Sequence, residues 1–478
     1  MLALDLYPGS YPLQFGAIVP SFTRGPTPLS AFDPSDPRSM DVGTELLAAT
    51  WFGFIGLDGH LSIGPLPFGS VPGFQDLPIY FQGVTLSGSV PIVDQISTPE
   101  VIRLGIADTF RDRQVGFQDD RAFATVLPRA DRTWMVIGGA RGQLLAQSAH
   151  ATTSIYHPLD DVFLPGPPMN APRSMHTQTQ LLDGRWLLVG GVDSFNNPQT
   201  SCEIYDPVTD TFTLVTSLNV PRMGHTATLL PDGRVFVAGG LRAVTTTPTQ
   251  LSAVHDATDT SEIYDPSTDV WTATPNMADP RAAHVAILRP DGKVMLAGGI
   301  SWYPVIVIGW LPTIEDSCDI YDPATNTMSA GPSMTNPRSL LEPIDLGNDR
   351  WLLAGGIGNL TLTNLGTPTA TAEIYDAAAN TWTAVANLNF ARGYHRGWSL
   401  GNGRFMLAGG AAGNVLSPTP LDSVEVFSLA TNSFTLGPAM TIPRAAPAFF
   451  VTRQGQVQLF GGGTTNNTIV NTTEFYYR

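Results

Sequence analysis

The chain has 478 residues, 43% of them apolar, and a formal net charge of −16 from 41 acidic against 25 basic residues. That length allows one large β domain with an extension, the apolar share can build a sizeable core, and the acidic balance argues against a nucleic-acid partner. Cys202 and Cys318 are too few for a disulfide framework, and no run reaches the roughly 18 apolar residues of a membrane span.

The start, MLALDLYPGSYPLQFG, lacks the positive opening of a signal peptide and reads as a mature or misassigned start. Residues 20–38 read as loop. The apolar runs up to residue 98 are cut by Gly and Pro and read as a small β-sandwich or a β arm. This region, 1–98, is expected to be a packing extension that covers a face, or else a secretion or assembly module. The rest, 99–478, forms a second unit.

From residue 121 the chain repeats. Gly pairs close a hydrophobic run at 138–139, 190–191, 239–240, 298–299, 355–356, 409–410 and 461–462, spaced 49 to 59 residues apart. An Arg precedes each pair, and a phrase such as EIYDPSTDVW follows all but the last, where TEFYYR is its partial form. Each unit reads as four strands. Strand a follows the Arg, strand b is the run before the Gly pair, strand c is the EIYD phrase, and strand d begins at the aromatic residue. Asp-Gly and Asn-Gly between a and b mark tight hairpins, and Asp-Pro between c and d marks a turn. Four antiparallel strands repeated seven times predict a closed β-propeller.

Unit seven ends at Arg478 without a strand d. An unpaired sheet edge is a liability. The stretch PEVIRLGIADTF at 99–110 stands just ahead of unit one, so Val101 to Gly105 is expected to close the last blade.

The R-x-x-H start, the Gly pair and the Tyr-Asp then Trp or Phe phrase resemble the kelch family of propellers over roughly residues 121–478. The resemblance, to a secreted bacterial type, implies an all-β, seven-bladed kelch-type β-propeller with an N-terminal β extension. Leu341 and Pro447 depart from the His position and Met328 from the Trp position.

Arg121, Arg173, Arg222, Arg281, Arg338, Arg392 and Arg444 each open an innermost strand. The strand order puts the d–a and b–c loops at one end of the propeller and the a–b and c–d loops at the other. The arginines therefore stand at the b–c end. Some kelch propellers use arginines there to hold acidic partners, and Arg173, Arg222, Arg281, Arg338, Arg392 and Arg444 are carried as binding candidates. The competing expectation, favoured by recurrence in every blade, is structural: bonds to a neighbouring blade's carbonyls, or pairing with Asp206, Asp265, Asp322 or Asp376. His176, His225, His284 and His395 lie on different blades and are expected to bond between blades rather than to hold a metal.

Tyr394-His395 looks like one part of the copper site of galactose-oxidase-like propellers. That site also needs a Tyr linked to a Cys and a further His. Cys202 and Cys318 occupy equivalent strand-c positions suited to small buried fillers. No catalytic set, cofactor or metal site is expected. The loops that break the repeat are better candidates. These are the b–c loops 241–260, 300–316 and 357–371. Trp302, Tyr303, Val305, Ile306, Ile308 and Trp310 are too apolar for an ordinary exposed loop. They are expected to pack on residues 1–98, or to contact another protein or another copy. The expected function is non-catalytic: protein–protein contact or assembly outside the cell or at its surface. Glycan binding is the alternative, and a copper-radical or other carbohydrate-active oxidoreductase a further one.

Overall fold

A computed structural model of the chain describes residues 116, 119–143, 146–243, 256–305, 309–360, 366–414, 417–452, 456–464 and 468–477, together with ten strands between residues 2 and 112. Seven four-stranded antiparallel sheets are arranged around one axis, each in the spatial order a-b-c-d. Blade three shows the pattern with Thr226–Leu229, Val235–Ala238, Ser261–Asp265 and Val270–Thr274. Its turns follow from its residues. Gly233 takes φ +89° in the a–b hairpin, and Asp232 accepts the Arg234 N–H at 3.1 Å. In the c–d turn the Tyr264 hydroxyl donates to Asp269 at 2.9 Å, and Asp269 itself adopts φ +56°. Asp and Asn tolerate that region better than most residues. The same Tyr-to-fifth-residue bond recurs from Tyr156, Tyr205, Tyr321 and Tyr375. Among the described residues no helix is long and apolar enough to cross a membrane.

The blades join through seven apolar clusters, one at each junction, including the one between blades seven and one. At the third-to-fourth junction Phe236 stacks on Tyr321 with ring centres 4.3 Å apart. Cys202 and Cys318 are free and buried in two of these clusters, as fillers.

The Gly pair is the joint. The N–H of its second glycine donates to the carbonyl of the next blade's Arg, from Gly139 to Arg173 at 2.8 Å and onward around the ring. Gly462 donates to Arg121 at 2.8 Å and closes the circle. The first glycine has no room for a side chain. A Cβ on Gly239 would lie 2.2 Å from the Arg281 carbonyl, at φ +63°. Gly184, in the a–b turn of blade two at φ +88°, has nothing within 4 Å. Gly239→Ala should therefore cost about 3 kcal/mol or more, against about 1 kcal/mol of backbone strain alone for Gly184→Ala. Urea midpoints of the two variants measure the difference.

Blade seven is completed from the N-terminal side, but not by the expected residues. Thr109–Asp112 pairs with Thr473–Tyr477, Thr109 facing Tyr477 and Asp112 facing Glu474. Glu100–Arg103, which overlaps the expected 101–105, pairs instead with Pro78–Leu86 in a five-stranded N-terminal sheet. Phe110 decides the choice. It is 8% exposed, lies in the core between blades six and seven, and has its ring centre 5.0 Å from that of Tyr476. The stretch 101–105 offers no aromatic for that slot.

The N-terminal sheet is built from Phe15–Ser21, Trp51–Phe54, Pro78–Leu86, Val93–Ile96 and Glu100–Arg103. A separate hairpin pairs Leu2–Asp5 with His60–Ile63. Two contacts of the N-terminal region reach the c–d turn of blade one. Tyr80 donates to the Leu159 carbonyl at 3.1 Å, and Arg24 pairs with Asp160. That turn is at the end opposite the b–c loops.

Candidate functional site

The arginine of each blade is a hub rather than a free cation. Arg173 is 0% exposed. Its Nη1 donates to the Gly190 carbonyl at 2.9 Å and the Ser201 carbonyl at 2.7 Å, and its Nη2 and Nε reach Glu203 at 2.9 and 3.1 Å. Glu203 also accepts the backbone N–H and side-chain amide of Asn170 at 2.7 and 2.8 Å. The bond from Arg to the first glycine recurs in all seven blades, always 17 residues on. The carboxylates are Glu203, Glu262, Asp319, Glu373, Glu425 and Glu474. Blade one has Ser154 at that position, and Asp119 pairs with Arg121 instead.

These acids are not the expected Asp206, Asp265, Asp322 and Asp376, and the carbonyls that accept from each Arg belong to its own blade rather than to a neighbouring one. In antiparallel order the start of strand a, the end of b and the start of c share one end of the blade. Asp206 is three residues along strand c from Glu203, about 10 Å away. It accepts the Val208 N–H in the c–d turn at 2.8 Å, and Asp322 pairs with Lys293. Burial lowers the Arg222, Arg338 and Arg392 guanidiniums, with their acids opposing it, and pulls Arg121 to about 10. All stay cationic at neutral pH. Burial also raises Asp319, the shortest of the strand-c acids, against the pull of Arg281.

Three of the four histidines, His176, His225 and His284, bond between blades. His176 meets Thr125 at 2.9 Å, His225 meets Thr177 at 3.0 Å and His284 meets Thr226 at 2.8 Å. The residue three after each Arg thus faces the residue four after the preceding blade's Arg. Where the His is absent, the partner changes too: Leu341 packs with Val285, and Ala124 with Ala448. At Pro447 the facing residue is Arg396, whose Nε donates to the Pro447 carbonyl at 2.7 Å and which also pairs with Glu342. Burial, reinforced by the nearby arginine, drives His176, His225 and His395 down to about 3, and His284 lower than its ordinary range as well.

Two residues after each Arg comes a residue at positive φ, from Phe123 and Met175 through Gly224, Ala283, Leu340 and Tyr394 to Ala446. Their backbones form a ring at the channel mouth. Ala283 donates to Gly224 at 2.7 Å, Tyr394 to Leu340 at 3.0 Å and Ala446 to Tyr394 at 2.9 Å. The ring is lopsided. Small residues stand at blades three and four, whereas Phe123 and Tyr394 meet edge to face at 6.2 Å across blade seven. Beside them lies a shallow apolar cavity of about 30 Å³.

Around this mouth stand the b–c loops, four of them paired as hairpins at Ala140–Gln143 with Ala146–Ala149, Ile300–Val305 with Gly309–Ile314, Ile357–Asn359 with Thr367–Pro368, and Ala411–Asn414 with Ser417–Pro420. Trp302 is buried at 5% exposure. The side chains of Tyr303, Val305 and Trp310, and Ile306 and Ile308 altogether, lie outside the described residues, as do 244–255 of the third loop. Blade two has a short tight loop instead. Asp193 accepts the N–H groups of Phe195 and Asn197 at 2.8 Å each, and Phe195 is 85% exposed at its tip.

The kelch-motif model matches residues 182–219 and 222–278, which span blades two and three. With seven blades closed by one recurring joint, that match decides the class. The chain is a seven-bladed kelch-type β-propeller.

This kelch-type propeller is 30% identical over 188 residues to an F-box/kelch-repeat protein of Arabidopsis thaliana, covering 38% of this chain and two-fifths (40%) of that relative's length. Among solved structures it is similar to a fungal alcohol oxidase of the AA5 family in complex with copper, at 17% identity and TM-score 0.57, covering 77% of this chain and 75% of that one. That likeness is one of fold. Cys202 and Cys318 sit in interblade cores with thiols pushed up to about 12 by burial. Tyr394, its phenol also raised by burial, lies beside Phe123. Among the described residues no three His, Cys, Asp or Glu converge on one point.

The repeat made the arginines and histidines visible from sequence. The strand-c acid was visible too, two residues before the Tyr of blades two to five and seven and before Phe427 of blade six, but only its placement opposite the Arg shows what it does. The ring at the channel mouth carries no common residue type and had no signal beyond its fixed offset from the Arg.

Proposed function

We propose that this propeller is a non-catalytic, extracellular or cell-surface binding protein that contacts another protein through its b–c end. One observation carries the reading. The recurring polar side chains are consumed inside the scaffold, whereas the unrepeated sequence is gathered at that end as four hairpins and the Phe195 loop. A fold of this kind supports several functions, so the site and not the fold must carry the argument. Among the described residues the site offers shape and apolar surface rather than a nucleophile, an acid–base pair or a ligand set.

A photoreactive residue at Phe195 should capture a protein, and one at Val208, 91% exposed on the opposite end, should not. Equal capture at both positions would reject the assignment of the face. Hydrogen peroxide release from an alcohol by copper-treated protein would reject the non-catalytic reading. Glycan binding is the second reading. Phe123 and Tyr394 beside an apolar cavity could hold the non-polar face of a sugar ring, which a glycan array with a Tyr394→Ala control would show.

A further inference from the structure

The arginines that suggested an acidic partner are neutralised inside the blades, so the sign of the b–c end is set by what remains. Its seven loops, 140–152, 192–201, 241–260, 300–317, 357–371, 411–423 and 463–472, carry six acids and two arginines. One of those arginines, Arg242, is already paired with Asp256. Three of the acids share one place in the repeat. Asp259, Asp316 and Asp422 stand two residues ahead of strand c, and their carbonyls accept the N–H of Met277, Met334 and Met440 on the next d–a link at 2.9, 2.8 and 2.8 Å. Asp316 and Asp422 are exposed, as is Asp120 at the entry to blade one. Among the described residues none of these three has an ion-pair partner. The opposite end is acidic too, but it pairs its charges within itself: Asp183 with Arg185, Asp232 with Arg234 and Asp322 with Lys293. Inside the acids lies the apolar mouth, where Phe123 and Tyr394 line the cavity. Strand c is two strands out from strand a, so the acids that precede it stand about 10 Å outside that mouth.

We propose that the b–c end takes a basic segment of another protein, with an apolar side chain seated at the mouth and Lys or Arg on the surrounding carboxylates. The inference rests on the reading of that end as a protein-binding surface and adds the chemistry of the partner. Charge selects the occupant. An acidic segment, the kind that free arginines would draw, meets like charge at Asp120, Asp316 and Asp422 and finds every hub guanidinium buried. A neutral segment gains the apolar contact alone. A basic segment gains both. One exposed carboxylate contributes little to such a contact, but several around a desolvated centre raise the association rate and fix the register. A guanidinium fork matches each carboxylate in shape as well as in charge. An apolar centre inside a charged rim is also how protein interfaces are commonly built.

Fluorescence anisotropy of the full chain with three short synthetic peptides tests this. The first carries two arginines on each side of a central Trp, the second has Glu in place of Arg, and the third keeps the arginines but has Ala in place of Trp. The first should bind, at least about tenfold more tightly in 0.1 M than in 0.5 M salt, and the second should not. Asp316→Asn with Asp422→Asn should weaken the first peptide at least about tenfold. Asp206→Asn with Asp376→Asn removes the same charge from the c–d turns of the opposite end, where each side chain accepts a backbone N–H that Asn can still bond, and should change binding less than about twofold. Tyr394→Ala should weaken the Trp peptide and leave the Ala peptide unchanged. Urea midpoints near that of the wild type confirm that the variants fold. No binding of the first peptide up to about 1 mM, equal binding of the Glu peptide, equal loss from both Asp pairs, or an equal effect of Tyr394→Ala on both arginine peptides overturns the inference. Capture at Phe195 decides the underlying reading separately: capture there without a preference for the basic peptides keeps the face and discards its selectivity.

Discussion

Glu203→Ala should destabilise the propeller by about 3–5 kcal/mol, seen as a fall in the urea midpoint at unchanged slope. The variant leaves the Arg173 guanidinium fully buried and without its counter-charge, and strips the Asn170 backbone N–H of its acceptor. Exposed pairs behave differently. Asp183 and Arg185 lie 2.7 Å apart with side chains 49% and 37% exposed, so Asp183→Ala should cost less than about 1 kcal/mol. Arg173→Met should be at least as damaging as Glu203→Ala. It orphans the carboxylate and removes the donor from the Gly190 and Ser201 carbonyls as well. A Glu203→Ala midpoint within the range of Asp183→Ala would show that the hubs are not what couples strands a, b and c.

The second large effect is acid lability between pH 6.5 and 3. His176, His225 and His395 titrate at about 3 in the folded chain against 6.5 when exposed, and His284 is shifted the same way. A depressed folded value means that the unfolded chain binds the proton first. The stability these residues contribute is therefore complete above pH 6.5 and is lost as pH falls toward 3. At pH 5 each buried His should cost about 2 kcal/mol, from roughly 1.4 kcal/mol per unit. Asp319 acts in the other sense. Its raised value contributes below the ordinary carboxylate range and is lost as pH rises, so it offsets only a small part. The urea midpoint should fall steeply from pH 7 to pH 5, and His225→Gln should flatten the slope by about one proton. A flat profile over that range would mean that the imidazoles are open to solvent.

The two effects differ in how far the sequence foreshadows them. The histidines could be placed at blade junctions because four recur at one offset from an Arg, and a residue at a fixed offset in each blade cannot converge on one ion. The threonine partners of His176, His225 and His284 required coordinates, yet the pairing is orderly once seen. Val285 with Leu341 and Ala448 with Ala124 show that an apolar residue on one side of a junction is matched by an apolar residue on the other. Trp302 illustrates the opposite case. Its apolar neighbourhood suggested packing against residues 1–98; the structure buries it to 5% exposure, while the side chains of the loop beyond it lie outside the described residues.

The number of blades, the order of strands within them and the tight turns were all settled by the sequence alone. Each depends on residues close together in the chain: an Asp-Gly hairpin, a Tyr with its fifth neighbour, a strand that alternates core and edge. Repetition then multiplies a local signal seven times. Tertiary structure decided which acid meets each arginine, which segment closes the last blade, and how the channel mouth is lined. Those partners lie 30 or more residues apart or at opposite ends of the chain, and any short β-forming segment can satisfy an open edge. Only when the ring closes does Phe110, rather than the stretch at 101–105, find a slot of its own shape beside Tyr476.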